Sequence, residues 1–489
     1  MKINWKFLAV LLFFVLFYSF ALSKYPLVWV DEPWLAELSW NMARHGQFTS
    51  STFTGYFSYD ILVIPYLGYH LLLSLVFKLF GLGVIQARLL SLISSFFILI
   101  VVYHITKLLY KDNKNAGIIA MCFLIANPIF FQCARQSRQE ALIALFIVSA
   151  FYFMARGIKE QKLYNYFICG AFIALSFLSH YNGLIAGVTM FLIILFHNKK
   201  AVLVYTAGAL LFVLPYILFI LVNFQLFKEQ MLIQCGDRIL FIPYLFKNLI
   251  NEYIRWMHPS LIIPLIIGVS ALIYLIITNY KKQSLLINYI ILFYVLLALI
   301  DSARKPFLYL NLIFPFLAIA AAIAFFEIYK KRKVLATVSL IILLIGSGIF
   351  LPYKLFKYLH SDYYGVINKF KKEIPQGSVV IGIPTYWFGI DDYYKYRSYD
   401  LIYHNAKIYN TDYDKALKLI KGDYIIYDES WAPSYKTKET QALLNNSCEL
   451  KKVIYDKYYG QGYDGIIRPD NIKIYKVKKP DKVKKDESL

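Results

Sequence analysis

The feature that most constrains this chain is the recurrence of apolar runs about 20 residues long, the length an α-helix needs to cross a bilayer. They read as spans near residues 5–23, 84–106, 116–133, 140–156, 164–180, 183–197, 202–223, 261–279, 285–300, 307–328 and 334–352. With 59% hydrophobic residues the chain exceeds the usual soluble composition. The expected fold is a polytopic α-helical membrane protein of about 11 transmembrane helices. The first run is read as a retained helix, because ALSKYPLVWV offers no small-x-small cleavage site.

A net charge of +22 over 489 residues would suit a nucleic-acid partner, but its distribution argues against one. The lysines and arginines cluster in short segments between apolar runs: Lys107, Lys111 and Lys114; Arg156, Lys159 and Lys162; Lys199 and Lys200; Lys281 and Lys282; Lys330 to Lys333. That is the pattern of cytoplasmic loops. Placing the N-terminus inside puts all five clusters in the cytoplasm. Segments 24–83, 134–139, 224–260 and 301–306 then lie outside, with everything after residue 353. The stretch ILVIPYLGYHLLLSLVFKLF, residues 61–80, would reverse the scheme if it spanned. Its Pro65, Gly68, His70 and Lys78 suit a helix lying in the interface instead.

The first outer loop contains WVDEPWLAELSWNMARHG, where Trp34, Leu35, Leu38 and Met42 recur at helical spacing and Gly46 follows as a C-cap. Asp31 and Glu32 therefore open a short amphipathic helix, with Pro33 in its first turn. Capping and the helix dipole account well for one acid and less well for two. A carboxylate at a bilayer face also costs more than one in water.

Beyond residue 353 the long apolar runs stop and charge rises. GSVVIGIPTYWFG, DYIIYDES and NIKIYKVKK read as strands, DYDKALKLIKG as a helix with a glycine stop, and QALLNNSCELKKVIYD as helix then strand. This alternation predicts a small extracytoplasmic α/β domain over 353–489, following a transmembrane domain over 1–352. It holds no P-loop and no GxGxxG. Among the five cysteines, Cys235 and Cys448 lie in polar stretches and are a candidate bridge. No CxxC or metal-ligand spacing occurs.

Further ionisable residues fall at the outer ends of the spans. Arg88 enters the second. Arg135, Arg138 and Glu140 precede the fourth, and His180, Tyr181 and Asn182 form a tight turn. Asp301, Arg304 and Lys305 precede Tyr309, and Asp237, Arg238, Glu252, Arg255 and His258 occupy another loop. Arg and Tyr also serve as interface anchors. Gathered on one face, such acids and cations can hold a lipid phosphate and take a proton from an attacking hydroxyl.

The stretch DEPWLAELSWNMARHGQF, residues 31–48, resembles the C-class (GT-C) membrane glycosyltransferases of the family 39 type, which include the protein O-mannosyltransferases and the lipid A aminoarabinose transferases. FKLFGLGVIQARLLSLI, ARQSRQEALIALFIVSAFYFMARG and RKPFLYLNLIFPFLAIAAA are similar to later stretches of that family, and an outer α/β domain fits it too. The resemblance implies transfer of a sugar from a polyprenyl-phosphate donor to a lipid, glycan or protein acceptor, with inversion in a single displacement. It places the catalytic carboxylate at Asp31 beside Glu32. It places donor phosphate contacts at Arg88, Arg138, Arg304, Lys305 and Tyr309, with Glu140 and His258 as a second acid or acceptor site. Relatives often carry a lysine before a proline in the first outer loop. Here Ile64 precedes Pro65, leaving that cation to His70 or Arg88. A divalent metal on Asp31, Glu32 and Glu140 is compatible with the resemblance and is not required by it. The competing reading is a transporter or flippase of lipid-linked sugars, which calls for internal repeats and midplane polar groups that the chain does not display.

Overall fold

The computed structural model describes residues 4–52, 63, 66–235, 242–257, 261–300, 306–428, 438–459 and 472–478. Two compact units emerge. The first comprises Met1–Pro26, Met42–Gly46 and Leu62–Lys357; the second comprises Leu27–Asn41, Gln47–Ile61 and Tyr358–Leu489. The acid-bearing segment thus groups with the C-terminal residues, whereas a linear reading left it in the first outer loop of the membrane part.

Helices α1 (Trp5–Ser19), α2 (Asp31–His45), α3 (Leu67–Phe80), α4 (Val84–Leu109), α5 (Ala116–Ile125) and α6 (Pro128–Ala134) come first. They are followed by α7 (Glu140–Glu160), α8 (Leu163–Ser179), α9 (Asn182–His197), α10 (Lys199–Val222), α11 (Phe224–Cys235), α12 (Ile242–Ile250) and α13 (Tyr253–Trp256). Then come α14 (Ile262–Ile300), a 3-10 turn (Phe307–Leu312), α15 (Phe314–Lys331) and α16 (Lys333–Tyr358). All but α2 belong to the first unit, apart from the last residue of α16; α2 gives its residues up to Asn41 to the second unit and the rest to the first. Among the described residues, α4, α7, α10 and the Tyr280–Ile300 half of α14 are each long and apolar enough to cross a membrane.

Two sequence expectations meet a different local structure. The span expected over 116–133 is broken into α5 and α6, bent by 74°. Asn127 causes the break: its side chain accepts hydrogen bonds from the N–H groups of Ile129 and Phe130, and Pro128 starts the new helix. The loop expected at Lys281 and Lys282 is helical, so the predicted spans 261–279 and 285–300 form the one element α14. In the segment at 61–80, read as lying in the interface, the described residues form the 14-residue α3, which agrees with that reading. At 1.5 Å per residue that is about 21 Å, short of a hydrocarbon core of about 30 Å.

Packing in the first unit uses small residues where helices meet closely. A Cβ on Gly170 of α8 would stand 2.0 Å from the Tyr205 carbonyl oxygen of α10, and one on Gly208 would stand 2.1 Å from that of Phe167. The two glycines let the backbones touch. On α10 the residues Leu203, Leu210, Leu211, Leu214, Leu218 and Leu221 stay exposed, as a lipid-facing helix requires.

The second unit is built on a five-stranded sheet of order β2-β1-β3-β5-β4, with β1 (Val379–Gly382), β2 (Lys395–Ser398), β3 (Tyr424–Asp428), β4 (Cys448–Ile454) and β5 (Ile472–Val477). β2, β1 and β3 run parallel, and β5 runs antiparallel to both β3 and β4. The connection from β2 to β3 carries α18 (Asp400–Ile408) and α19 (Tyr413–Ile420), and α20 (Lys438–Ser447) leads into β4. α17 (Tyr363–Glu373) precedes β1. Ile381 and Ile425 of the sheet pack with Ile402, Leu417 and Leu443 of these helices. The α/β character and four of the strands match the sequence reading. The short polar strand KYRS has no apolar run to announce it. The stop after α19 is Lys421, at φ +56°, one residue before the glycine expected there. Cys448 is a free, buried thiol, which removes the bridge to Cys235.

Candidate active site

Helix α2 starts at Asp31, in the second unit, and runs to His45; Gly46 follows, and its φ of +67° and N–H bond to the Met42 carbonyl make the predicted C-cap. The structure divides the acid pair. Glu32 is wholly buried, and its carboxylate accepts the Trp29 backbone N–H at 3.0 Å. Capping therefore explains Glu32. Asp31 is only partly buried.

Glu37, about one helical turn and a half further on, accepts four hydrogen bonds. Its Oε1 accepts the Ser51 N–H at 2.8 Å, the Ser51 hydroxyl at 2.7 Å and the Thr52 N–H at 2.8 Å, and its Oε2 accepts the Ser50 hydroxyl at 2.6 Å. The loop so held is tied to the sheet, because the Ser398 N–H of β2 donates to the Thr52 carbonyl at 2.8 Å. Arg397 adds an attractive charge toward Glu37. The only sequence signal for this clamp is the hydroxyl-rich run at 50–52. Removing the carboxylate orphans several donors at once. Glu37→Ala is therefore expected to destabilise the second unit by about 2–3 kcal/mol. Glu37→Gln should recover part of the loss, since its carbonyl still accepts. Thermal unfolding followed by tryptophan fluorescence reads both, and an unshifted midpoint for Glu37→Ala would refute the clamp.

Asp391 of the same unit takes a hydrogen bond from the Trp40 side chain, yet burial and then the neighbouring Asp392 raise its pKa. A raised folded value means the charged form is penalised. That penalty is absent below the unfolded carboxylate pKa and complete above the folded one. Asp391→Asn keeps an acceptor for Trp40. It should raise the thermal midpoint at pH 7 and leave it unchanged near pH 3.

In the first unit, the short segment before α7 supplies a buried ion pair. Arg138 forks onto Glu140, with Nε to Oε1 at 3.0 Å and Nη2 to Oε1 at 2.7 Å, and Glu140 is 1% exposed. Around this pair gather residues from three other places. His180, between α8 and α9, stacks on Tyr66 with ring centroids 5.2 Å apart and lies 5.4 Å from the Tyr309 ring. Its Nδ1 accepts the Asn182 N–H at 3.1 Å, which leaves the proton of the neutral ring on Nε2, 3.4 Å from the Tyr309 hydroxyl. Tyr309 is within electrostatic reach of Arg138 and Glu140. The Asn182 amide is wholly buried, and neither of its ends meets a partner among the described residues. Such a group is costly unless something polar comes to it. Arg138, Glu140 and Tyr309 are thus brought together, with His180, Tyr66 and Asn182 joining them.

Two other arginines are used differently. Arg135 donates to the carbonyls of Tyr18, Phe20, Ala21 and Tyr25, satisfying the open end of α1 and the turn after it. Arg88, wholly buried, donates to the Leu22 carbonyl at 2.7 Å. His70 is buried edge-on against Tyr69. Arg304, Lys305 and His258 lie outside the described residues, as do Asp237, Arg238 and Asp301. No group of three or more His, Cys, Asp or Glu side chains arranged to hold a metal occurs among the described residues.

The helical arrangement with its appended small sheet defines a class: the chain has the fold of the GT-C membrane glycosyltransferases and resembles the mannosyltransferases and ArnT among them. Residues 65–223 match the family model described as dolichyl-phosphate-mannose-protein mannosyltransferase. ArnT from Cupriavidus metallidurans, solved bound to undecaprenyl phosphate, is similar with a TM-score of 0.62 at 15% identity, covering 96% of this chain and 97% of ArnT. The Archaeoglobus fulgidus oligosaccharyltransferase, in its apo form, is similar with a TM-score of 0.58 at 13% identity, covering 92% of this chain and 73% of that one. The archaeal oligosaccharyltransferase AglB from the same organism, in complex with an inhibitory peptide and a dolichol-phosphate, gives 0.57 at 14% identity over 91% and 73%. No curated protein matches the sequence.

Proposed function

We propose that this protein is a membrane glycosyltransferase that moves a sugar from a polyprenyl-phosphate donor to an acceptor hydroxyl at the outer face of the membrane. One observation carries the reading. The stretch matching the mannosyltransferase family model, residues 65–223, contains Tyr66, Arg138, Glu140 and His180, four of the residues that gather in the first unit. The similar structures bound to undecaprenyl phosphate and to a dolichol-phosphate support a lipid-linked donor.

In the proposed reaction the acceptor oxygen attacks the anomeric carbon as the bond to the donor phosphate breaks, inverting that centre. Asp31 takes the acceptor proton. The polyprenyl phosphate departs with the bonding electrons, and Arg138 and Tyr309 stabilise the charge it gains. Glu140 orients Arg138, and Glu32 holds the start of α2. Arg304, Lys305 and His258 remain candidates on the strength of the resemblance, and Arg88 serves the frame. A divalent metal, if the reaction uses one, would supply charge at the leaving phosphate.

The outer site follows from the lysine-rich segments, which the charge rule places in the cytoplasm. The test is transfer of a labelled sugar from synthetic polyprenyl-phosphate donors by the purified protein, with and without EDTA. Transfer establishes the reaction, and its loss in EDTA establishes the metal. A panel of sugars giving neither transfer nor donor hydrolysis would overturn the proposal in favour of lipid movement.

A further inference from the structure

The first unit holds a cavity of about 300 Å³ lined by the ends of α4, α7 and α15 and by the middle of α14. Glu140 opens α7 and Lys159 nearly closes it, so this cavity and the Arg138–Glu140 pair lie at opposite ends of one helix. That separation is about 29 Å, close to the thickness of a hydrocarbon core. Lys111, Lys159 and Lys282 line the cavity with Tyr110, Asp112, Gln283 and Glu327.

Its charges do not balance. Both carboxylates are taken by Lys330, which bonds Asp112 and Glu327 at 2.9 Å each, and the Tyr110 hydroxyl adds a third bond to Glu327 at 2.7 Å. The three lining lysines are left without a carboxylate among the described ion pairs. Lys159 donates to the Leu108 carbonyl at 3.3 Å, and the adjacent Glu160, bonded to Arg156, adds an attractive charge. Lys111 stands close beside Lys159. Beside them Gln283 is 5% exposed, and its amide meets the Leu109 carbonyl at 3.5 Å through one end while the other end has no partner among the described residues. Converging ammonium groups beside an unsatisfied buried amide suit an anion that also carries a hydroxyl. At about 300 Å³ the space matches the lower limit of small-molecule sites rather than a bare ion.

We propose that this cavity is a second phosphate site, at the lysine-bearing end of the first unit, binding a hydroxyl-carrying phosphate ester through Lys111, Lys159, Lys282 and Gln283. A lipid headgroup and a soluble phosphate share that chemistry. The test takes full-length, delipidated protein and titrates it with phosphatidylglycerol under native mass spectrometry, with and without inorganic phosphate. One lipid is expected to bind with priority, and roughly tenfold or more weaker to Lys111→Gln/Lys159→Gln. Gln283→Leu should weaken it too. The charge-matched Lys199→Gln/Lys200→Gln should bind as wild type. Displacement by inorganic phosphate at submillimolar concentration would assign the site to soluble phosphates, and resistance to it would assign the site to lipid. Equal weakening by both lysine pairs, or none by either, would reduce the effect to general surface charge and overturn the proposal. Because the readout is binding at Lys111 and Lys159, its failure is separate from any failure of sugar transfer.

Discussion

Asp31→Asn is expected to lower sugar transfer by about 10²–10⁴-fold, the usual worth of a positioned general base, while the protein keeps its thermal midpoint. The substitution preserves shape and removes the ability to take a proton. The structure sharpens the expectation by separating the pair. Glu32 is buried and accepts the Trp29 N–H, so Glu32→Gln should show mainly as lost stability, with transfer per folded molecule reduced far less. Asp31 makes the opposite prediction. Steady-state kinetics beside thermal unfolding distinguishes the two. Transfer at the wild-type rate by Asp31→Asn would remove that residue from the chemistry.

The second large effect is expected at Arg138 and Glu140. Removing either partner leaves a buried charge without its counterion, at a cost of about 3–5 kcal/mol. Arg138→Met and Glu140→Leu should each lower the thermal midpoint strongly. The double variant should recover much of that loss, because neither charge then remains. If Arg138 also receives the donor phosphate, the recovered protein should still show a raised KM for the lipid donor. Single variants as stable as the wild type would show the pair to be dispensable. A double variant with wild-type KM would assign it to the frame alone.

What could be read beforehand follows the range of the interactions involved. The spans, α2 with its Gly46 cap and the alternation beyond residue 353 all depend on neighbours within a few residues, and sequence carries them. The break between α5 and α6 was equally local: Asn127 before Pro128 is a start signal inside an apolar run. The arginines were different. Arg135 and Arg138 sit three residues apart in one charged segment, yet Arg135 is consumed by carbonyls of α1 more than 100 positions away, while Arg138 turns to Glu140. Nothing in their spacing separates them. Glu37 stands in the sequence of α2, but its role depends on the loop at 50–52 folding back onto it.

The second unit also has a consequence for how the protein is made. It is assembled from Leu27–Asn41 and Gln47–Ile61 together with residues from Tyr358 onward, and β5, at 472–477, lies between β3 and β4 in its sheet. Asp31 leaves the ribosome about 350 to 440 residues ahead of the strands that complete its unit. At about 5–20 residues per second that interval is roughly 17–90 s. During it the Glu37 clamp can close but has no β2 to be fastened to. The acid is therefore delivered early and seated late, so a nascent or truncated chain carries the residue proposed for catalysis without the unit that holds it.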